Sequence, residues 1–154
     1  MNKNKGISLV EIVIVISIIV IICAITIVSL SSFKNGQVLR NTAVDIVSML
    51  NKARQNTLSS INSNNYGVHF ETNKMTLFIA PTYTQGVGTN EVINFNSVVN
   101  IPVSGGINVG GGSDVIFQRL TGETIGGTIV IQQTSNATKQ KTITISKTGI
   151  ISSN

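Results

Sequence analysis

Between Lys5 and Lys34 the chain carries one charge, Glu11, set inside an Ile/Val-rich run that continues to Phe33. At about 1.5 Å of rise per helical residue, the stretch from Ile12 to Phe33 reaches roughly 33 Å, enough to cross a hydrocarbon core about 30 Å thick. Ile and Val are only moderate helix formers, but lipid offers the backbone no hydrogen-bond partner, and a helix is the one-segment solution. The run predicts a transmembrane helix over 7–33, followed by a domain of ordinary size over 34–154. Glu11 is the anomaly. An ionised carboxylate near the centre of a bilayer helix costs roughly 2.5–3.5 kcal/mol on the insertion scale, so such an acid is kept for a function and needs a partner.

Lys3 and Lys5 give the basic start of a secretory signal, but the apolar stretch behind them is longer than the about 7–15 residues usual in a cleaved signal peptide. A lipoprotein site at Cys23 would call for a small residue before it, where bulky Ile22 stands. Neither reading accounts for Glu11. Lys5, Gly6, Ile7, Ser8, Leu9, Val10 and Glu11, with the apolar run behind them, resemble the class III signal of type IV prepilins and type II secretion pseudoprepilins, whose usual form is K/R-G-F-T-L-x-E.

The resemblance implies that prepilin peptidase, a membrane-embedded aspartic peptidase, cuts after Gly6, removes a leader over 1–6 and N-methylates Ile7. A residue without a side chain at the cut lets the backbone approach the peptidase closely. The amine of Ile7 stays cationic, and on a neighbouring subunit it would pair with Glu11, making the acid a register device for assembly and not a catalyst. The implied partners are the peptidase, other pilins or pseudopilins met through the N-terminal helix, and the inner membrane before assembly. Lys3 and Lys5 precede the span while Lys34 and Arg40 follow it, so charge alone leaves orientation open. The motif implies a single-pass protein with its N-terminus in the cytoplasm and its head in the periplasm or at the cell surface. The one cysteine can form no internal disulfide, which is compatible with export.

Past the span, Leu39, Ala43, Ile46, Leu50, Ala53, Thr57 and Ile61 recur three or four apart and define one helix face, with Arg40, Asp45, Lys52 and Gln55 largely off it. The spacing predicts an amphipathic helix over about 37–62, continuous with the apolar half except for a loosening at Asn35 and Gly36. Many major pilins bend this helix at a proline. Here none occurs within the span, and Pro81 and Pro102 lie far downstream, so the resemblance does not carry a kink over.

From about 66 to 151 the pattern turns to short strands. Tyr66, Val68 and Phe70 alternate with Gly67 and His69, and a turn at Asn73 leads to Met75–Ala80, which reads as a hairpin. Further strands are expected at 91–95, 98–101, 115–120, 128–133 and 141–146, separated by glycine-bearing turns and therefore antiparallel. The fold class is α+β: a pilin-like long N-terminal helix packed on a small antiparallel sheet. The segment 50–56, Val115–Phe117 followed by Thr121 and Gly122, and the closing 143–149 resemble the H-type minor pseudopilins of type II secretion and the T-type minor fimbrial pilins. Phe70, Phe78, Phe95 and Phe117 read as core.

Catalytic chemistry finds little to work with. Gly105–Gly112 lacks the Gly-Lys-Ser/Thr ending that binds phosphate and magnesium, and Gly122, Gly126 and Gly127 form no dinucleotide fingerprint. With one histidine and one cysteine the usual zinc sets are out of reach. Asp45, Glu71, Glu91, Asp114 and Glu123 are scattered without metal spacing, and His69 reads as an outward-facing or capped strand residue. No enzyme, metal or cofactor is expected. The net charge of +5 falls by two if Lys3 and Lys5 leave with the leader. The expected function is a structural minor pilin or pseudopilin, co-assembled into a type IV pilus or a secretion or competence pseudopilus and acting in initiation or at the tip. The alternative is an adhesive or DNA-binding module displayed on such a filament, with Arg119, Lys139, Lys141 and Lys147 as phosphate contacts and binding that falls steeply with salt.

Overall fold

A computed structural model describes residues 8–110 and 112–154, apart from the side chains at 25–29 and 31. The chain divides into two units, 1–36 and 37–154. Helix α1 runs Leu9–Leu58 and contributes to both, and Asn35 and Gly36 are helical, so the loosening expected there does not occur. A Cβ at Gly36 would meet nothing within 4 Å, so helix geometry is not strained there by packing.

In the first unit α1 exposes its apolar side chains from Leu9 through Ile22. Ser17 turns its hydroxyl back to the Val13 carbonyl at 2.7 Å, which spares an apolar helix surface an unsatisfied donor. Among the described residues no helix is long and apolar enough to cross a membrane. The run expected to span, 7–33, includes Ile7 and the side chains at 25–29 and 31, which lie outside the description.

In the second unit the predicted helix stripe is the core face. Leu39, Ala43, Ile46, Leu50, Ala53 and Thr57 are all buried, with Met49 beside them. Ile61, the seventh member, is 41% exposed because α1 ends at Leu58 and a 3₁₀ turn, Ile61–Ser63, begins the turn into the strands. Ser60, Asn62 and Ser63 all take positive φ there, a conformation that short polar residues tolerate better than branched ones. Thr57 ties the helix end to the first strand: its hydroxyl donates to the Ala53 carbonyl and accepts from the Tyr66 amide, both at 2.9 Å.

Two antiparallel sheets make up the rest of the head, where one was expected. The first contains β1 (Tyr66–Glu71), β2 (Lys74–Ile79), β3 (Glu91–Asn94) and β6 (Asp114–Ile116) in the order β3-β2-β1-β6. The second has the order β4-β7-β8-β9, with β4 (Val99–Asn100), β7 (Gly127–Gln133), β8 (Asn136–Ile145) and β9 (Ile151–Ser153); β5 (Ile107–Val109) also pairs with β7. The hairpin register Val68↔Leu77 and Phe70↔Met75 places Val68, Phe70, Met75 and Leu77 in the main core. Alternation sends Gly67 and Phe78 to the opposite face, where they are register partners. A Cβ at Gly67 would sit 2.9 Å from the Phe78 ring and from the Val115 carbonyl, so only glycine leaves that ring its place.

Two expected strands shift at their ends. The one expected at 115–120 stops at Ile116, with a last ladder-like bond from the Phe117 amide to Tyr66, and the chain then turns through Leu120 at φ 73°. The one expected at 141–146 begins five residues earlier, at Asn136. Phe70, Phe78 and Phe117 are buried and Phe95 packs against the core, as the sequence suggests.

Candidate functional site

Lys5, Gly6 and Ile7 lie outside the described residues, so the processing site is represented by its C-terminal neighbour, Glu11. Glu11 stands in the first turn of α1, where its negative charge complements the partial positive charge of the unpaired helix amides. It is exposed, and it borders a shallow apolar depression with Ile12, Val15 and Ile16, each about half exposed. No ion pair among the described residues includes it. A carboxylate set into an apolar helix face, and in no ion pair among the described residues, is suited to meeting a cation on another chain.

The four cations considered as phosphate contacts do not form one patch. Arg119 is tied down: its Nη1 donates to the Ser63 carbonyl at 2.9 Å and its amide to Asn65 Oδ1 at 3.1 Å. Lys139 and Lys141 share a face of β8, and Lys141 borders an apolar groove with Arg40, Val44 and Val47. Lys147 lies beyond the far end of β8, in the turn before β9, where its carbonyl accepts from the Thr124 amide at 3.0 Å. Six residues of extended chain separate Lys141 from Lys147, which is roughly 20 Å at about 3.3 Å per residue.

His69 is built into a cluster of titratable side chains. The β1–β6 register sets it opposite Asp114, whose Oδ1 lies 2.5 Å from Nδ1, while Nε2 faces Glu71 at 3.8 Å. Lys74 holds Glu71 at 3.1 Å, and the Tyr83 ring stacks on the imidazole with centroids 3.8 Å apart. An open cavity of about 580 Å³, bordered by Thr72, Asn73, Pro102 and Ser113, adjoins this cluster. Both imidazole nitrogens face carboxylates, an arrangement that fixes the ring in place. Among the described residues no three His, Cys, Asp or Glu side chains are placed to hold a metal.

Sequence reasoning did not foresee that its three head motifs converge. Arg54, from the 50–56 segment, lies across Gly122 and Gly149, the glycines of the other two. Both glycines have positive φ, 67° and 78°, and a Cβ at Gly149 would collide with the Gly122 carbonyl and come within 2.7 Å of Arg54 Nε. The signal was present as two glycines, but nothing local says that one arginine covers both.

Residues 1–29 match the family model of the prokaryotic N-terminal methylation motif. No curated protein matches the chain in sequence. Among solved structures, the chain is similar to the minor pseudopilin EpsH from the type 2 secretion system of Vibrio cholerae, at 13% identity and a TM-score of 0.57 over 75% of this chain and 95% of that one. It is equally similar to the type IV minor pilin FimU of Pseudomonas aeruginosa strain PAO1 in two crystal forms, at 13% identity and TM-scores of 0.57 and 0.58 over 75% of this chain and 92% and 87% of those. At that identity the likeness concerns the fold, and the motif over 1–29 is a separate observation. The chain thus carries an N-terminal methylation motif and a fold similar to those of the minor pseudopilin EpsH and the minor pilin FimU.

Proposed function

We propose that this chain is a minor pilin or pseudopilin, a structural subunit cut by prepilin peptidase between Gly6 and Ile7 and N-methylated on Ile7. Held in the inner membrane by 7–33 with its N-terminus in the cytoplasm, it then co-assembles through α1 into a type IV pilus or a type II secretion or competence pseudopilus, in initiation or at the tip. The observation that carries the reading is Glu11: an exposed carboxylate on an apolar helix face, within the methylation motif and without an ion pair among the described residues. In a helical array the N-methylated amine of a neighbour's Ile7 supplies the missing cation, and only one stagger between helices brings the two together. The pair therefore sets register.

Mass spectrometry of the mature protein tests the processing step: an N-methylated Ile7 terminus is expected, and an intact Met1 in cells with active peptidase overturns it. The Glu11→Leu variant tests the register step. It inserts and is cleaved, but enters filaments at a small fraction of the wild-type level; undiminished incorporation removes the role assigned to Glu11.

A further inference from the structure

The end of the head where α1 stops carries a cation whose surroundings leave it incomplete. Arg54 is half-buried, and its Nε is buried with no hydrogen-bond partner among the described residues. None of the ion pairs there includes it. Its side chain lies in the slot that Gly122 and Gly149 open by lacking side chains. Burying one guanidinium nitrogen without supplying an acceptor is costly, and the group's planar fork is suited to a carboxylate.

One apolar side chain edges the slot, and two more flank its glycines in sequence. Leu58 is within van der Waals reach of Gly122, Leu120 stands two residues before that glycine and Ile150 directly follows Gly149. Leu120 and Ile150 are 76% and 66% exposed. Both loops are held by their own hydrogen bonds: Gln118 and Gly122 close the first, while Ser146, Gly149 and Ile150 close the second. A surface already ordered loses little further entropy on binding.

We propose that the Arg54 slot, with Leu58, Leu120 and Ile150 around it, is a docking surface for a neighbouring filament subunit that presents a carboxylate on an apolar segment. The proposal rests on the subunit reading above. Charge complementarity selects the occupant: Arg54 needs an anionic acceptor, and its apolar surround selects a folded protein segment over a hydrated polyanion. The partner's Asp or Glu would pair with the outer nitrogens of the guanidinium while its apolar neighbours cover Leu120 and Ile150.

The test uses the full chain in cells that carry its assembly machinery, with a photo-crosslinking amino acid at Leu120 in one strain and at Ile16 in another. Light is expected to join Leu120 to a second subunit bearing an N-terminal methylation motif, within a peptide that contains Asp or Glu. Arg54→Gln lowers that adduct by about tenfold or more, as when one member of a desolvated charge pair is removed, and leaves the Ile16 adduct unchanged. Ile150→Glu, at an exposed position that leaves the fold intact, lowers it similarly by repelling the partner's acid. A Leu120 adduct that is absent, goes to lipid or survives Ile150→Glu overturns the docking surface alone. Loss of the Ile16 adduct from the wild type as well overturns the subunit reading with it.

Discussion

Thr57 is where the helix and the first sheet are joined by a single oxygen, and replacing it with valine isolates that atom. The side chain is fully buried, and its hydroxyl links the Ala53 carbonyl to the Tyr66 amide through two 2.9 Å bonds. Valine keeps the volume and χ1 preference but leaves the Tyr66 N–H without an acceptor; the Ala53 carbonyl still serves as a helix acceptor. An orphaned buried donor costs about 1–3 kcal/mol. Taking about 2 kcal/mol, the melting temperature of a domain this size falls by roughly 8 °C. Thr57→Ser keeps the oxygen and loses one methyl, worth about 0.8 kcal/mol before any cavity term. Thermal unfolding of the full chain in detergent, followed by circular dichroism, should therefore rank wild type above serine above valine, with the Tyr66 amide exchanging faster in the valine variant. If burial alone governs the site the order inverts, with valine at or above wild type. That result would refute the argument.

Gly67→Ala drives a methyl into the Phe78 ring and the Val115 carbonyl and should cost about 1–3 kcal/mol, whereas Gly36→Ala, in open helix, should stabilise by up to about 1 kcal/mol; urea unfolding with helix content as readout checks both signs. Glu91→Gln breaks the Lys52 pair, but the two side chains are 46% and 50% exposed, so the unfolding midpoint should not move measurably. A gel shift with the full chain in detergent should show no duplex binding even at low salt, because Arg119 is engaged with Ser63 and the remaining cations are dispersed; a salt-sensitive shift would restore the nucleic-acid reading.

Much of the head was legible because its rules are local. The three-and-four spacing from Leu39 to Thr57 found the buried face of α1, since every fourth residue of a helix returns to the same side. It failed at Ile61 because periodicity does not mark a stop, and Ser59, Ser60 and Asn62 ended the helix by turn chemistry. β5 was missed inside the glycine-rich stretch around Gly105–Gly112, where Ile107–Val109 has too few residues to show alternation and is held as a strand by β7. β9 is equally short and rests on β8. The division into two sheets is a tertiary choice, made by how β6 returns to β1 while β7 takes β4 and β5 as partners.

The two candidate surfaces differ in legibility for the same reason. Glu11 stands out in one dimension because lipid imposes a uniform rule along the whole run, so a single charge in it is a contradiction visible without any fold. Arg54 contradicts nothing locally: an arginine near a helix end is ordinary, and Gly122 and Gly149 each look like a turn. Only when β8 and β9 bring Gly149 against the Gly122 carbonyl does the same arginine acquire two glycine walls, with its Nε buried and without a hydrogen-bond partner among the described residues. A buried donor without an acceptor is then the same kind of contradiction as a charge in lipid, written in three dimensions. In the proposed filament each would be met by a group on another chain: an amine for Glu11, a carboxylate for Arg54.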